Sequence, residues 1–181
     1  LYIESTNAVF IFQSAFTSNR GLLNGGVLGL FSISVVVVNF CNFMESSSSR
    51  AGGAVHGQDI DSVSFKHSHF LENLAGNSGG GALSLHSVDF VSIKLCLFVR
   101  NKALGSGGSL SLADIITALL SKCHFRKNSA HGHGGGILTE NIEKINIESC
   151  VFKNHSCDYH GGVMNIDSYI EISLINCKLR N

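Results

Sequence analysis

Proline is missing altogether from these 181 residues, where average usage near 5% would supply roughly nine. Proline removes a ladder hydrogen bond wherever it enters a sheet, so a chain without it suits continuous strand pairing. Charge is scarce as well: Asp, Glu, Lys and Arg make up 14% of the sequence, against 44% hydrophobic residues. That balance excludes a disordered chain and a nucleic-acid-coating polypeptide, and it allows one domain with a substantial core. Formal net charge is zero, so no long-range field recruits an anionic partner. No segment shows a sustained helical period. Glycine, by contrast, is plentiful at 20 residues, and it is not scattered.

The glycines belong to an internal repeat. A phenylalanine recurs at Phe16, Phe43, Phe70, Phe98, Phe125 and Phe152, with Leu179 in the last slot, at spacings of 27, 27, 28, 27, 27 and 27. Nine residues after each Phe a Gly pair begins, from Gly25-Gly26 to Gly161-Gly162, so the extra residue is assigned between Gly80 and Phe98. Two residues before the anchor stand Ser14, Cys41, Ser68, Cys96, Cys123, Cys150 and Cys177; three after it stand Asn19, Ser46, Asn73, Asn101, Asn128 and His155. A repeat of this length is one supersecondary unit stacked on its copies.

The unit's shape follows from its alternation. Pairs such as Val36 and Val38, Val91 and Ile93, or Ile145 and Ile147 lie seven and five residues before each anchor, with mostly polar residues between. That is period two, a strand with one buried face. A second short strand is expected after the Gly pair, as in Ala82-Leu83-Ser84-Leu85, and a third at Cys-x-Phe. The expected fold is therefore all-β: a right-handed parallel β-helix of about six and a half coils, three short strands per coil, spanning 1–181 as a single segment. With coils spaced roughly 4.8 Å apart, like residues lie over like. The Phe column becomes an internal stack, the Asn column a turn ladder, the Gly pair a corner, and none of them needs a cofactor or chemistry.

Phe-x-x-Asn (Phe16 to Asn19, Phe70 to Asn73, Phe98 to Asn101, Phe125 to Asn128), with Gly-Gly-Ala-Val at 52–55 and Gly-Gly-Ala-Leu at 80–83, resembles the repeats of the chlamydial polymorphic outer-membrane proteins. The resemblance covers essentially the whole chain, although Ser46 and His155 depart from the Asn column and no translocator barrel is present. It implies an autotransporter-like β-helix at a cell surface or outside the cell, used in adhesion. The expected function is a structural or adhesive rod presenting a repetitive face to a protein or glycan, not an enzyme. The alternatives are a polysaccharide lyase or hydrolase of β-helix type and a purely architectural scaffold. The ends enter and leave without polar caps, so the chain is expected to continue into adjoining β-helix segments, of its own or neighbouring chains.

Several local features carry their own alternatives. Gly21 to Met44 lacks charge over roughly the length that spans a bilayer, yet Gly25-Gly26, Val36, Val38, Cys41 and Phe43 keep the repeat register, so no membrane insertion is expected. Cys96, Cys123, Cys150 and Cys177 fall on consecutive coils, as small packed thiols or as inter-coil disulfides; parallel side-chain directions favour free or mixed thiols. His131, His133, His155, Asp158 and His160 gather near one turn, where His131, His133, Asp158 and His160 could hold zinc; a solvated loop explains them as well. Asp59, Asp61 and Asp114 are the place to seek an enzyme's carboxylates, though Asp59 and Asp114 lie two coils apart, roughly 10 Å. Arg20, Arg100, Lys102, Arg126, Lys127, Lys153 and Arg180 all follow the anchor closely and would form a basic edge for an anionic partner, or simply a solvated one. Asn154-His155-Ser156 is an N-glycosylation sequon.

Overall fold

A computed structural model describes residues 1–180, and among them there is no helix. The chain winds into a parallel β-helix with three sheets. Strands of 11 or 12 residues, from Tyr2–Phe12 and Leu28–Asn39 through Val55–Lys66, Leu83–Lys94, Leu110–Ser121 and Ile137–Glu148 to Met164–Ile175, form a seven-stranded sheet in strict chain order. Three-residue strands at the anchors, Ala15–Thr17 to Lys178–Arg180, form a second seven-stranded sheet. Two-residue strands, Arg20–Gly21 to Ser156–Cys157, form a third of six.

The three strands differ from those expected in one respect. The segment after the Gly pair and the alternating segment are not separate: they are one long strand bent in its middle. The bend is a left-handed residue in every coil, Ser5, Ser32, Asp59, Ser87, Asp114, Asn141 and Ser168, with φ between 52° and 56°. Pairing resumes on both sides of it, as Ile60 against Val88 and Gln58 against His86. The third sheet comes instead from the two residues after the Asn column. Two further left-handed columns, Gln13 to Asn176 and Ser18 to Asn154, turn the chain between strands. Left-handed backbone costs an L-residue roughly 1–2 kcal/mol, and the stacking of identical turns holds it there.

The extra residue also lies elsewhere than expected. Ala75 pairs with Ala103 across 28 residues and Gly53 donates its amide to Gly80, so the insertion falls between Ala75 and Gly80. Gly80, at φ 68°, is the equivalent of Gly52 at φ 64°, and Gly79 at φ 92° belongs to the enlarged corner.

Leu30, Ile33, Val36, Val38 and their equivalents in the interior coils fill the lumen with Phe43, Phe70, Phe98, Phe125 and Phe152, and these five rings are fully buried. Those rings lie 4.8–4.9 Å apart at 3–7° to one another, and Phe16 extends the stack at 5.1 Å. Gly21 to Met44 lies within the windings of this β-helix, with Leu28–Asn39 as its long strand; among the described residues no helix is long and apolar enough to cross a membrane.

Candidate functional site

The Asn column is a ladder of amides. Asn101 Nδ2 donates to Phe70 O at 2.9 Å and to Asn128 Oδ1 at 3.1 Å, while its Oδ1 accepts from both the backbone and the side-chain nitrogen of Asn73. Asn73 and Asn128 donate in the same way to Phe43 O and Phe98 O. Ser46 keeps a shortened version, its N–H donating to Asn73 Oδ1. The Asn19 side chain bonds locally instead, donating to Thr17 O, while the Asn19 N–H donates to Ser46 Oγ.

His155 is the last rung. Its Nδ1 accepts from the Asn128 N–H at 3.2 Å and its Nε2 lies 3.1 Å from Phe125 O, which fixes the tautomer with the proton on Nε2. The ring copies both roles of an Asn amide. Burial pushes its pKa down, the two backbone bonds acting against the shift. His155 therefore leaves the histidine cluster to which its sequence position assigned it.

The rest of that cluster stays apart. His133 and His160 stack face on face, centroids 5.2 Å apart, and His133 Nδ1 accepts the backbone N–H of His160. Stacked imidazoles do not aim their nitrogens at one point. His131 and Asp158 are exposed, and no group of three or more His, Cys, Asp or Glu side chains able to hold a metal occurs among the described residues.

All six cysteines are free. Cys41, Cys96, Cys123 and Cys150 are buried, and their sulfurs donate to carbonyls two residues earlier, such as Cys123 to Ser121 O at 3.3 Å. The Cys41 thiol is held above its usual pKa by burial, and that of Cys150 by its contact with Cys123 and then by burial, so neither is a ready nucleophile.

Asp59 and Asp114 share the left-handed bend column with Ser87 between them, and Asp61 stands outside it, so the three carboxylates do not converge. Asp114 instead meets His86 Nδ1 at 3.4 Å and accepts a bond from Asn141. Beside this pair is a concavity of about 440 Å³ lined by His56, Ser84, His86, Ser111, Asp114 and Glu140, with Ala51 and Ser78 at one side. Repeat logic missed it, because His56 occupies a column otherwise filled by Tyr2, Gly29, Ser84, Ser111, Leu138 and Asn165. Burial, reinforced by the charge of His86, pushes the His56 pKa down to about 4.

The basic residues divide. Arg126, Lys153 and Arg180 occupy one register column of the three-residue sheet, on consecutive coils, with Lys127 next to Arg126. They make no ion pair among the described residues. Arg100 pairs with Glu72, Lys102 sits on the two-residue sheet above Ser129, and Arg20 lies at the far end beside Ser47. Leu97, Val99, His124, Val151, Arg126 and Lys153 line a shallow groove of about 350 Å³ on the same sheet. Asn154 is exposed, in a left-handed turn.

The sequence model of the Chlamydia polymorphic membrane protein repeat matches residues 122–140. This window holds Cys123, Phe125, Asn128 and the Gly134-Gly135-Gly136 corner, and it covers 19 residues of one 27-residue repeat length. The match supports a chlamydial polymorphic-membrane-protein-like repeat, and together with the β-helix it fits a surface-protein rod. No curated protein and no solved structure matches the chain.

Proposed function

We propose that this chain is a length of a non-catalytic, surface-displayed rod that adheres to an anionic macromolecule, a glycan or an acidic protein, through its three-residue sheet. The observation that carries the proposal is the column Arg126, Lys153 and Arg180. Neighbours in such a column stand roughly 4.8 Å apart, so unpaired like charges there repel one another, and a partner of opposite sign relieves that repulsion. The apolar floor of Leu97, Val99 and Val151 beside the column adds contact area. A non-catalytic role is supported by the loops: a single added residue in the whole repeat offers little chain from which to build a catalytic groove.

The test is binding of the purified rod to cells and to immobilised sulfated and neutral glycans at two salt concentrations. Adhesion through the column is expected to weaken steeply with salt and to be lost on Arg126→Glu with Lys153→Glu. Equal adhesion by this charge-reversed protein would overturn the proposal.

A further inference from the structure

We infer that the concavity over His56 is a binding site for a neutral, hydroxyl-rich ligand about the size of one sugar unit. Three observations converge there. The first is His56 itself, 6% exposed, with Nδ1 and Nε2 both buried and without any hydrogen-bond partner. Buried polar groups are nearly always paired, and two on one ring is a marked exception. The second is position. The one break in the repeat, the enlarged corner between Ala75 and Gly80, contributes Ser78 to the lining, and Ala51 opposite bridges to Gly79. The only coil of different length is thus the coil that shapes this cavity. The third is size, about 440 Å³, inside the range of roughly 300–1,000 Å³ in which small-molecule sites fall.

The chemistry of the lining selects the ligand class. No Lys or Arg lines the cavity, and Asp114 and Glu140 do, so an anion is disfavoured. A neutral imidazole offers one donor and one acceptor, and Ser84 and Ser111 offer hydroxyls that do either; sugar hydroxyls answer both roles at once. Ser84 and Ser111 are register partners, which sets these hydroxyls one coil apart along the groove. Because the His56 nitrogens are covered, binding entails a side-chain shift of a neighbour in the lining, and the half-exposed His86 makes it by leaving its 3.4 Å contact with Asp114. The site does not depend on the adhesive proposal above, since it lies on a different sheet.

Histidine-ring NMR of the isotope-labelled protein, titrated with free glucose, galactose, mannose, N-acetylglucosamine and N-acetylgalactosamine, tests it. At least one sugar is expected to shift the His56 and His86 ring signals saturably, with affinity on the order of millimolar. The shift of His86 should disappear in His56→Leu and weaken at least several-fold in Ser111→Ala, and persist in the distant His133→Ala. Ser111→Ala is a mild change in a column that already varies, so it decides the matter even if His56→Leu fails to fold. Absence of a saturable shift with all five sugars overturns the inference. So does a shift given by ethanolamine but by no sugar, or one that survives both lining substitutions.

Discussion

Replacing His56 by leucine is expected to make the protein more stable, and increasingly so as the pH falls. His56 is buried with both ring nitrogens unpaired, and Leu138 fills the same register column two coils beyond Ser84. An unsatisfied buried polar group costs about 1–3 kcal/mol, so the substitution should gain about 2 kcal/mol at pH 7. Protonation adds a second effect. The ring titrates near 6.5 when unfolded and near 4 when folded, so between those values the unfolded chain binds a proton that the folded chain refuses. Stability from the neutral ring is complete above pH 6.5 and is lost as the pH falls toward 4. At 1.36 kcal/mol per pKa unit the loss is about 2 kcal/mol at pH 5 and about 3 kcal/mol well below pH 4. His155, whose pKa is lowered too, weakens both proteins alike and cancels in the comparison. Urea unfolding of the two proteins at pH 7 and pH 5 measures the gap. A gap near 2 kcal/mol that widens to about 4 supports the account. A leucine protein no more stable than the original, with a gap that ignores pH, refutes it.

The ladders permit three further tests, each by urea unfolding at neutral pH. Asn101→Ala breaks bonds to Phe70 O, Asn128 and Asn73 in a buried site, and should cost about 3 kcal/mol or more, whereas Asn19→Ala should cost under about 0.5. Phe98→Ala opens a gap between rings 4.8 Å away on either side and should cost about 3–5 kcal/mol; a loss under about 1 would mean the stack is not packed as described. Leu95 is a branched apolar residue at φ 55°, partly exposed, so Leu95→Asn should raise stability by about 1 kcal/mol; destabilisation would argue against a left-handed turn there.

The repeat was legible because its columns keep their chemistry. Phe43 to Phe152 read as an interior stack, and Asn73, Asn101 and Asn128 as a ladder, from spacing alone. The left-handed turns of the Leu95 column were not legible, because Gln13, Phe40, His67, Leu95, Lys122, Ser149 and Asn176 have no common preference for positive φ. Two-residue strands such as Lys102–Ala103 are too short for any alternation to show. The extra residue was misplaced because Gly79, Gly80 and Gly81 offer two Gly pairs, and counting from the anchor picks the wrong one. At the candidate sites, His155 was grouped by residue type with its neighbours, whereas hydrogen bonding assigns it to the ladder. His56 left no signal at all: its significance comes from what fails to reach its nitrogens, a property of packing that a sequence column does not record.

The 28-residue coil has a consequence for how such a rod can change. In a layered solid, an added half-row usually leaves a dislocation that every later layer must carry. Here the added residue is absorbed between Ala75 and Gly80, and by Leu83 against Leu110 the offset is again 27. The fault is healed within the layer that contains it. That corner is consequently a place where length can be gained or lost without dephasing the rows above and below, so related rods could diverge there while their interiors remain interchangeable.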